Sequence, residues 1–341
     1  MLTQRRLEEA LTAFRRTRVA VVGDLYLDRY VIGTAETISR EAPVPVVRIE
    51  EDLYSPGAAG NTALNVRNLG VQTYVVGVIG QDVAGEIMRA QFAEHGVQTP
   101  GLIAAAGRHT PTYTKLYASS FHGVAQQVAR FDRENRMGLS ANAERQLLDQ
   151  LGRVLNEMDA IVLQDQTEVA GTGVITDRVI QAVAARTEKI TVGDSRNRLA
   201  ALKGLTAVVP NEYEGTMAGG LRGEAGESIS DEMVNEAGRR LLDLLGCQHV
   251  IITRGEKGCS VFSKGAAPVL VPTVPVKGEI DVTGAGDTMT AAVAAGMAAG
   301  LSVEEAVDLG NLGAGITVRK IGTTGTASPD ELRAALASRL A

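Results

Sequence analysis

Hydrophobic and polar positions follow two alternating periods along the chain, and each period predicts one type of element. Short uninterrupted apolar runs, such as the VAVVG that precedes Asp24, are typical of strands buried on both faces. Between these runs, apolar residues recur at every third or fourth position, as they do in amphipathic helices. The predicted strands are 18–24, 73–80, 160–165, 190–194, 206–211 and 249–255, with two more strand-like runs that end near Val274. The predicted helices are a short one within 1–18 and those at 60–70, 84–97, 141–158, 174–186, 228–245, 286–299, 303–318 and 329–340.

Regular alternation of strands and helices predicts an α/β fold, with a mainly parallel sheet covered by helices on both faces. Two segments do not fit that sheet. Residues 29–50 are rich in β-branched residues and are interrupted by Pro43 and Pro45, which indicates edge strands. Residues 110–132 alternate between polar and apolar, as a half-exposed hairpin does. We therefore expect one domain over 1–341 that carries a small protruding β lid made of these two segments.

The composition narrows the class of protein. The chain has 341 residues, of which 45% are hydrophobic, and its formal net charge is −6. It has enough apolar side chains for a large core and lacks the broad positive field that nucleic-acid binding needs. Its two cysteines, Cys247 and Cys259, show no metal-ligand spacing and favour a reducing compartment. The charged N-terminus is not typical of a signal peptide, and no apolar run approaches the roughly 20 residues of a membrane helix. These features predict a cytoplasmic protein without nucleic-acid or membrane partners.

Polar clusters follow several of the predicted strands. Ligands of an open α/β sheet bind outside the carboxyl ends of its strands, so these clusters mark the expected site. The clusters are Asp24 with Asp28, residues 164–166, residues 194–196, Asn211 with Glu214, and residues 253–255.

The most specific stretch is GEIDVTGAGDTMTAAVAAG, at residues 278–296. The turn Gly284-Ala285-Gly286 lets several backbone N–H groups converge just before a helix whose first amides are unpaired. Such a turn can bind an anion without any net positive charge. Asp287 follows at the helix start, where its carboxylate can accept the proton of a hydroxyl that attacks a bound phosphate. The alternative interpretation is a tight turn with an acidic helix start and no chemistry.

Four motifs, in order along the chain, carry a family resemblance. DVTGAGDT resembles the C-terminal signature of the ribokinase-type carbohydrate kinases, the PfkB superfamily. PGAAGNTALNVRNLG, followed by VGVIG, resembles the N-terminal signature, although Ala58 stands where the family usually has a second glycine. VVPNEYE resembles the Asn-x-x-Glu motif of the family, and ITRGEKG resembles its nucleotide-side glycine loop. The resemblance covers nearly the whole chain and implies a ribokinase-like fold and an ATP-dependent carbohydrate kinase.

The resemblance also implies the roles of the catalytic residues. Asp287 matches the general base of the family. The backbone of Gly284, Ala285 and Gly286 matches the anion hole that supports the transferred phosphoryl group.

The cofactors implied by the resemblance are ATP and Mg²⁺, with K⁺ as an option. Asn211 and Glu214 match the pair that organises Mg²⁺ and the phosphates, with Glu214 acting through water, although alone they would be a turn residue and a helix-start acid. Asp281 and Thr283 match positions that bind a monovalent cation in many members. The alternative for Asp281 is a structural acid that caps the turn. The residues that match the nucleotide site are Thr253, Gly255, Gly258 and Asn311.

Within the superfamily, residues 23–61 and especially ISREAPVPVV resemble the kinase part of the bacterial heptose enzymes. Those enzymes phosphorylate D-glycero-β-D-manno-heptose 7-phosphate at its 1-position. Two segments depart from this subgroup. QDQTEVAG at 164–171 stands in place of a Ser-Asp-Tyr-x-Lys-Gly sequence and lacks the lysine, and GDSRNR at 193–198 stands in place of Asp-Pro-Lys.

The acceptor is expected to lie against Asp28, Gly57 and Asn61, because carboxylate and amide groups can hydrogen-bond sugar hydroxyls. A phosphate on the acceptor would need charge-assisted partners. The candidates are Lys115, Arg130, Arg196 and Arg198, each of which is otherwise a solvated surface cation.

Three other functions compete with this interpretation. A kinase for a ketose phosphate, a nucleoside or an unphosphorylated sugar would explain the two departing segments. A nucleotide-binding regulatory protein without turnover would explain Ala58. A dinucleotide-dependent dehydrogenase is disfavoured because no G-x-G-x-x-G follows the first strand. Many relatives form dimers through the lid, and exposed strand edges invite pairing, so we expect a homodimer.

Overall fold

The computed structural model describes residues 1–120, 123–221, 228–322 and 324–340. Its strands are β1 Arg18–Gly23, β2 Leu25–Ile38, β3 Pro45–Ala58, β4 Gln72–Gly80, β5 Gln98–Ala105, β6 Thr112–Ser119, β7 Gln126–Arg133, β8 Ala160–Asp165, β9 Ile190–Ser195, β10 Ala207–Val208, β11 His249–Thr253, β12 Cys259–Ser263 and β13 Val269–Val271. Its helices are α1 Gln4–Phe14, α2 Ala59–Asn68, α3 Val83–Glu94, α4 Ala141–Val154, α5 Asp177–Ala184, α6 Glu212–Ala218, α7 Asp231–Leu245, α8 Ala285–Ala298, α9 Val303–Thr317 and α10 Pro329–Leu340.

The main sheet has the strand order β13-β12-β11-β10-β9-β8-β1-β4-β5. All pairings from β11 to β5 are parallel, and β12 and β13 extend the other edge antiparallel. The chain builds one half outward from β1 through β4 to β5, and later builds the other half outward from β8. The strand order therefore reverses between β1 and β8. Ligands of open α/β sheets bind beyond the strand ends at such a point, so the residues that follow β1 and end β8 should lie at the site.

Strand β1 shows why both faces of the sheet are covered. Val19 and Val21 belong to one buried cluster, which includes residues of α1, α2, α3, α8, α9 and α10. Ala20 and Val22 belong to a second cluster, which includes residues of α4, α5 and α7. The apolar run thus serves two cores, as the sequence predicted, and the result is a three-layer α/β/α arrangement.

The lid is a separate four-stranded sheet in the order β3-β2-β6-β7. β2 pairs antiparallel with β3 and parallel with β6, and β6 pairs antiparallel with β7. The predicted lid segments 29–50 and 110–132 fall on these strands, except that residues 121–122 lie outside the described residues. β2 and β3 are longer than predicted, because they continue down to Leu25 and Ala58 beside the end of β1.

Two elements were not predicted from the sequence. β5 contains Pro100 and Gly101, both of which count against a strand, but it lies at an edge of the sheet where a missing N–H group is tolerated. α6 has seven residues, too few for a helical period to be recognised.

Asp308 on α9 connects elements near both ends of the chain. Its side chain is fully buried, and it accepts hydrogen bonds from the backbone N–H of Leu2 at 2.6 Å and from Arg339 at 2.5 Å. Such a buried ion pair has to remain intact, because removing one partner leaves an uncompensated charge in the core.

Cys247 and Cys259 are free and buried. Within the described ranges, no helix combines the length and the apolar character that crossing a membrane requires.

Candidate active site

Helix α8 begins where the glycine turn ends, and its first amides can bind an anion. Gly284 precedes the helix with a φ of +81°, in the left-handed region that favours glycine. The N–H of Ala285 donates to the carbonyl of Val282 at 3.2 Å, whereas those of Gly286 and Asp287 have no acceptor among the described residues. A Cβ atom at Gly286 would meet no atom within 4 Å outside its own helix, so the space beside this residue is open. The two free amides and the helix dipole can therefore bind an anion, as predicted for this turn, whereas the N–H of Ala285 is already paired.

Asp287 accepts hydrogen bonds on both carboxylate oxygens. Asn61 donates to Oδ2 at 2.7 Å, and Gln164 and Thr62 donate to Oδ1 at 3.0 and 3.3 Å. Burial raises the pKa of Asp287 to about 6, because the ionised form loses water, and the bonds from Asn61 and Thr62 oppose that rise. The carboxyl group is therefore ionised at neutral pH and has a pKa in the range that suits a general base.

A hydrogen-bonded chain between α2 and α8 fixes the orientation of Asn61. The amide of Asn65 donates to the side-chain oxygen of Asn61 at 3.3 Å, and the hydroxyl of Thr288 donates to the side-chain oxygen of Asn65 at 2.9 Å. Because the oxygen of Asn61 faces a donor, its nitrogen faces Asp287. The two glycine-containing signatures, which are far apart in sequence, meet at this point.

Gln164 approaches Asp287 from the end of β8. Its side chain is fully buried, and Nε2 donates to Asp287 at 3.0 Å and to Asp194 at 2.8 Å. Its Oε1 has no hydrogen-bond partner within the described residues. Asp194 lies on β9, and burial, Glu214 and Asp287 raise its pKa well above the ordinary value.

On the lid side, Asp28 is buried near the base of β2. Lys115 lies 3.6 Å from its Oδ1. Burial raises the pKa of Asp28, and Lys115 opposes that rise. A Cβ atom at Gly57 would come within 2.8 Å of the other oxygen of Asp28, so glycine leaves room for the carboxylate. Arg130 on β7 pairs with Asp132 at 2.7 Å and lines the cleft between the lid and the ends of the main-sheet strands.

Ala58 is in a backbone conformation that favours glycine. Its φ is +51° and its ψ is −123°, and it is the only non-glycine residue with positive φ in the described chain. The next residue begins α2, which carries Asn61. Ala58 therefore has a backbone conformation that favours glycine at the position where the resembled signature has its second glycine, and it adds steric strain there.

Asn211 and Glu214 form a capping box at the start of α6. The side chain of Asn211 accepts from the N–H of Glu214 at 2.8 Å, and the carboxylate of Glu214 accepts from the N–H of Asn211 at 2.9 Å. Both residues also line the cleft, so their structural role leaves them next to the ligand space. Burial raises the pKa of Glu214.

No group of three or more His, Cys, Asp or Glu side chains in the described parts of the chain could hold a metal ion. Mg²⁺ in kinases needs no such group, because one or two carboxylates, substrate phosphates and water share its coordination. Glu214 is the predicted carboxylate that fits this role.

A cavity of about 250 Å³ lies next to the glycine turn and is lined mainly by apolar side chains. The four predicted nucleotide residues, Thr253, Gly255, Gly258 and Asn311, all line it. A Cβ atom at Gly258 would come within 2.2 Å of the carbonyl oxygen of Val271. The absence of a side chain at Gly258 therefore allows β13 to pack closely against it. Asn311 donates to the same carbonyl at 3.1 Å and so shapes the wall of the cavity.

Asp281 caps the turn before α8. Its oxygens accept from the N–H groups of Thr283 at 3.0 Å and Gly322 at 3.2 Å. Burial alone would raise its pKa, but these bonds lower the pKa of Asp281 below its ordinary value. These contacts are those expected of a structural acid that caps the turn, the alternative interpretation of Asp281. The lone pairs that remain on the ionised carboxylate are still available to a monovalent cation.

A cleft of about 720 Å³ between the lid and the strand ends brings the predicted residues together. The cleft meets the apolar cavity of about 250 Å³, which holds the four predicted nucleotide residues, at Thr253, Val282 and Gly286, which line both. Asp28 and Asn61 lie directly behind this cleft, in contact with Lys115 and Asp287 respectively. The predicted residues that line the cleft are Lys115, Arg130, Asn211, Glu214, Thr253, Asp281, Thr283, Gly284, Gly286 and Asp287.

The two arginines in residues 193–198 have side chains in different places. Arg196 lines the cleft and pairs with Glu168 at 2.7 Å. Arg198 is held elsewhere, by the carbonyl of Ile175 at 2.6 Å and by Asp177 at 2.6 Å. The structure therefore does not bring Arg198 to the acceptor.

Several residues around Asp287 had no role in the sequence analysis. Gln164 and Asp194 stood in polar clusters after strands, but no motif distinguished them from their neighbours. Asn65 lies four residues after Asn61, so helical spacing could have placed it on the same face of α2. The unassigned residues are Thr62, Asn65, Gln164, Asp194 and Thr288.

Comparisons with known proteins agree with this geometry. A sequence profile described as pfkB family carbohydrate kinase matches residues 16–331. The bifunctional protein HldE of Pelobacter propionicus is 37% identical over 98% of this chain, and that of Syntrophotalea carbinolica is 35% identical over 97%. The matches cover 66% and 65% of these relatives, so the chain spans slightly less than two thirds of their length.

Two solved structures show the same fold. Ribokinase from Arabidopsis thaliana, complexed with ribose and ATP, has a TM-score of 0.69 at 21% identity, over 94% of this chain and 98% of that one. Phosphofructokinase-2 from Escherichia coli, in complex with fructose-6-phosphate, has a TM-score of 0.71 at 18% identity, over 94% and 98%. The ribokinase-like fold expected from the sequence is confirmed.

Proposed function

The chain belongs to the pfkB family of carbohydrate kinases, and from that premise we propose that it transfers the γ-phosphoryl group of ATP to the 1-hydroxyl of a heptose 7-phosphate. One observation carries the proposal of phosphoryl transfer. The carboxylate of Asp287, held by three donors, lies beside two free helix amides at the junction of the acceptor cleft and the nucleotide cavity.

In the proposed step, the acceptor oxygen forms a bond to the γ-phosphorus while the bond from that phosphorus to the β,γ-bridging oxygen breaks. ADP leaves with the bonding electron pair, and the proton of the acceptor hydroxyl passes to Asp287. The amides of Gly286 and Asp287 stabilise the charge on the phosphoryl oxygens. Mg²⁺, bound through water to Glu214 and directly to the phosphates, would neutralise the rest of that charge.

Asp28 and Asn61 are the proposed contacts to sugar hydroxyls, and Gly57 provides the space for Asp28. Lys115 and Arg130 are the proposed partners of the acceptor phosphate, because both line the cleft on the lid strands. K⁺ is proposed at Asp281 and Thr283. We place the enzyme in the cytoplasm as a homodimer joined through the lid.

The acceptor named here rests on the resemblance of residues 23–61 to the heptose kinases. One observation favours a second candidate, a kinase for an acceptor without a distal phosphate. Where the subgroup has a lysine near 168, this chain has Glu168, and this acid pairs with Arg196. The cleft thus has fewer free cations than the subgroup's sequence provides.

The test is ADP release from Mg-ATP against a panel of sugars and sugar phosphates that includes the heptose 7-phosphate, with Asp287→Asn as the control. We expect turnover on the heptose phosphate and a loss of about 10²-fold or more in the variant, with ATP binding retained. Turnover on another acceptor alone would keep the kinase and reject the heptose. An Asp287→Asn enzyme with near-normal turnover would overturn the proposed base.

A further inference from the structure

Gln164 is a buried amide shared by two carboxylates. Both hydrogens of Nε2 are used, one toward Asp287 at 3.0 Å and one toward Asp194 at 2.8 Å. Its carbonyl oxygen is buried and has no partner among the described residues. A buried acceptor without a partner destabilises a fold, so its presence needs an explanation.

The two carboxylates explain this arrangement. Whatever the charge of Asp194, the reversed amide would place its oxygen against the ionised carboxylate of Asp287 and would repel it. Only the orientation with nitrogen toward the two acids serves them together, and it leaves Oε1 unpaired. The site therefore keeps an unpaired buried carbonyl in exchange for a donor between the two acids.

The other contacts of Asp287 show what this donor adds. Asn61 and Thr62 both come from α2, on the lid side of the carboxylate, so Gln164 provides its support from the sheet. Without Gln164, a weak bond of 3.3 Å from Thr62 would remain on Oδ1. A rotation of the carboxylate about its Cβ–Cγ bond would then be opposed mainly at Oδ2.

We propose that Gln164 is a positioning residue, which fixes the carboxylate plane of Asp287 and its spacing from Asp194 during phosphoryl transfer. The role rests on the proposed function of Asp287 as the base. In the Ser-Asp-Tyr-x-Lys-Gly sequence that QDQTEVAG replaces, the first residue is a serine, whose side chain is too short to reach two acids at once.

The charges around Asp287 come from several elements, and they set the expected pH dependence. Asp28 on β2 raises the pKa of Asp287, and Arg196 after β9 lowers it. Asp194 on β9 is linked to it through Gln164, and Glu214 on α6 acts on Asp194. None of these charged groups changes in a Gln164→Leu variant, which removes the donor together with the unpaired carbonyl and keeps a similar volume.

The experiment compares the wild-type enzyme with Gln164→Leu and with Gln181→Leu, a matched change on the exposed face of α5. We expect kcat of Gln164→Leu to fall by about 10- to 100-fold with KM for ATP within about twofold, because the base is misplaced but the nucleotide site is intact. The acid limb of its pH profile should move to higher pH by about one unit, since an ionised carboxylate has lost a donor. Gln181→Leu should resemble the wild type.

A measurement without turnover separates this inference from the proposed function. The carboxyl carbon of Asp287, observed by NMR through pH titration, should titrate at higher pH in folded Gln164→Leu than in the wild type, whichever acceptor the enzyme uses. A shifted titration supports the positioning role. An unshifted titration in a variant that melts like the wild type, or an unchanged kcat and pH profile on a working acceptor, would overturn it.

Discussion

The pKa of Asp287 gives the proposed base a defined working range. Burial raises that pKa to about 6, and the base accepts a proton only when ionised. As the pH falls through about 6, the carboxyl group becomes protonated, so kcat/KM should decline toward lower pH with a slope of one proton. Burial also raises the pKa of Asp165 to about 6, but its carboxylate accepts from the Ser195 hydroxyl and shares none of the donors of Asp287. The variant Asp165→Asn should therefore keep the decline in kcat/KM. Activity that stays level well below pH 6 would contradict this assignment.

Ala58 makes a prediction about stability at the same scale. Its φ of +51° is unfavourable for any residue with a Cβ atom, and glycine relieves that strain. We expect Ala58→Gly to raise the free energy of unfolding by about 1 kcal/mol, measured by denaturant unfolding. Ala63→Gly in the interior of α2 is the control, and it should lower the free energy of unfolding by about 1 kcal/mol or more, because there the change adds flexibility and also removes a fully buried methyl group. Equal effects at both positions would argue against strain at Ala58.

At the scale of elements, the start of α8 separates two functions of glycine. A Cβ atom at Gly284 would lie 2.6 Å from the nitrogen of Asn61, which donates to Asp287, whereas at Gly286 it would meet no protein atom. Gly284→Ala should therefore reduce kcat by about tenfold or more by displacing Asn61. Gly286→Ala should fold normally and mainly weaken ATP binding, because its methyl group occupies the space in front of the anion site. Steady-state kinetics and ATP titration of both variants test this difference, and identical kinetic defects would contradict it.

The elements also show how far the sequence could predict the site. Asp287, Asn211, Glu214 and Gly258 belong to local motifs in which spacing along the chain implies spacing in the fold. Gln164 and Asp194 lie on neighbouring strands, and only the pairing of β8 with β9 brings them together. Their shared contact with Asp287 depends on the crossing of α8 over the strand ends, which no local pattern contains. Long buried strands were predicted because apolar runs are a strong signal, while β5 and α6 lacked one.

At the scale of the whole molecule, the site lies where three separately built parts meet. The reversal of strand order between β1 and β8 opens the crevice, α8 directs its free amides toward it, and the lid strands cover it with Lys115 and Arg130. The long β2 begins at Leu25, two residues after β1 ends, so the lid continues almost directly from the sheet. A movement of the lid would therefore change the distance between the proposed acceptor contacts and Asp287, and closing it would exclude water from the phosphoryl group.

The surface of the lid leads to the prediction of a dimer. β3 and β7 are its free edges, and they expose large apolar side chains: Ile49 is 56% exposed, Leu53 49%, Val128 46% and Phe131 63%. Exposed apolar side chains on unpaired strand edges favour association with another chain, and a second copy presents the same edges. We expect light scattering to give the mass of a dimer at micromolar concentration and Phe131→Glu to shift it toward a monomer. Val83→Glu changes an apolar side chain that is 75% exposed on α3, outside the four lid strands, and should leave the dimer intact. A wild-type protein that scatters as a monomer, or a dimer that only Val83→Glu disrupts, would place any association outside the lid.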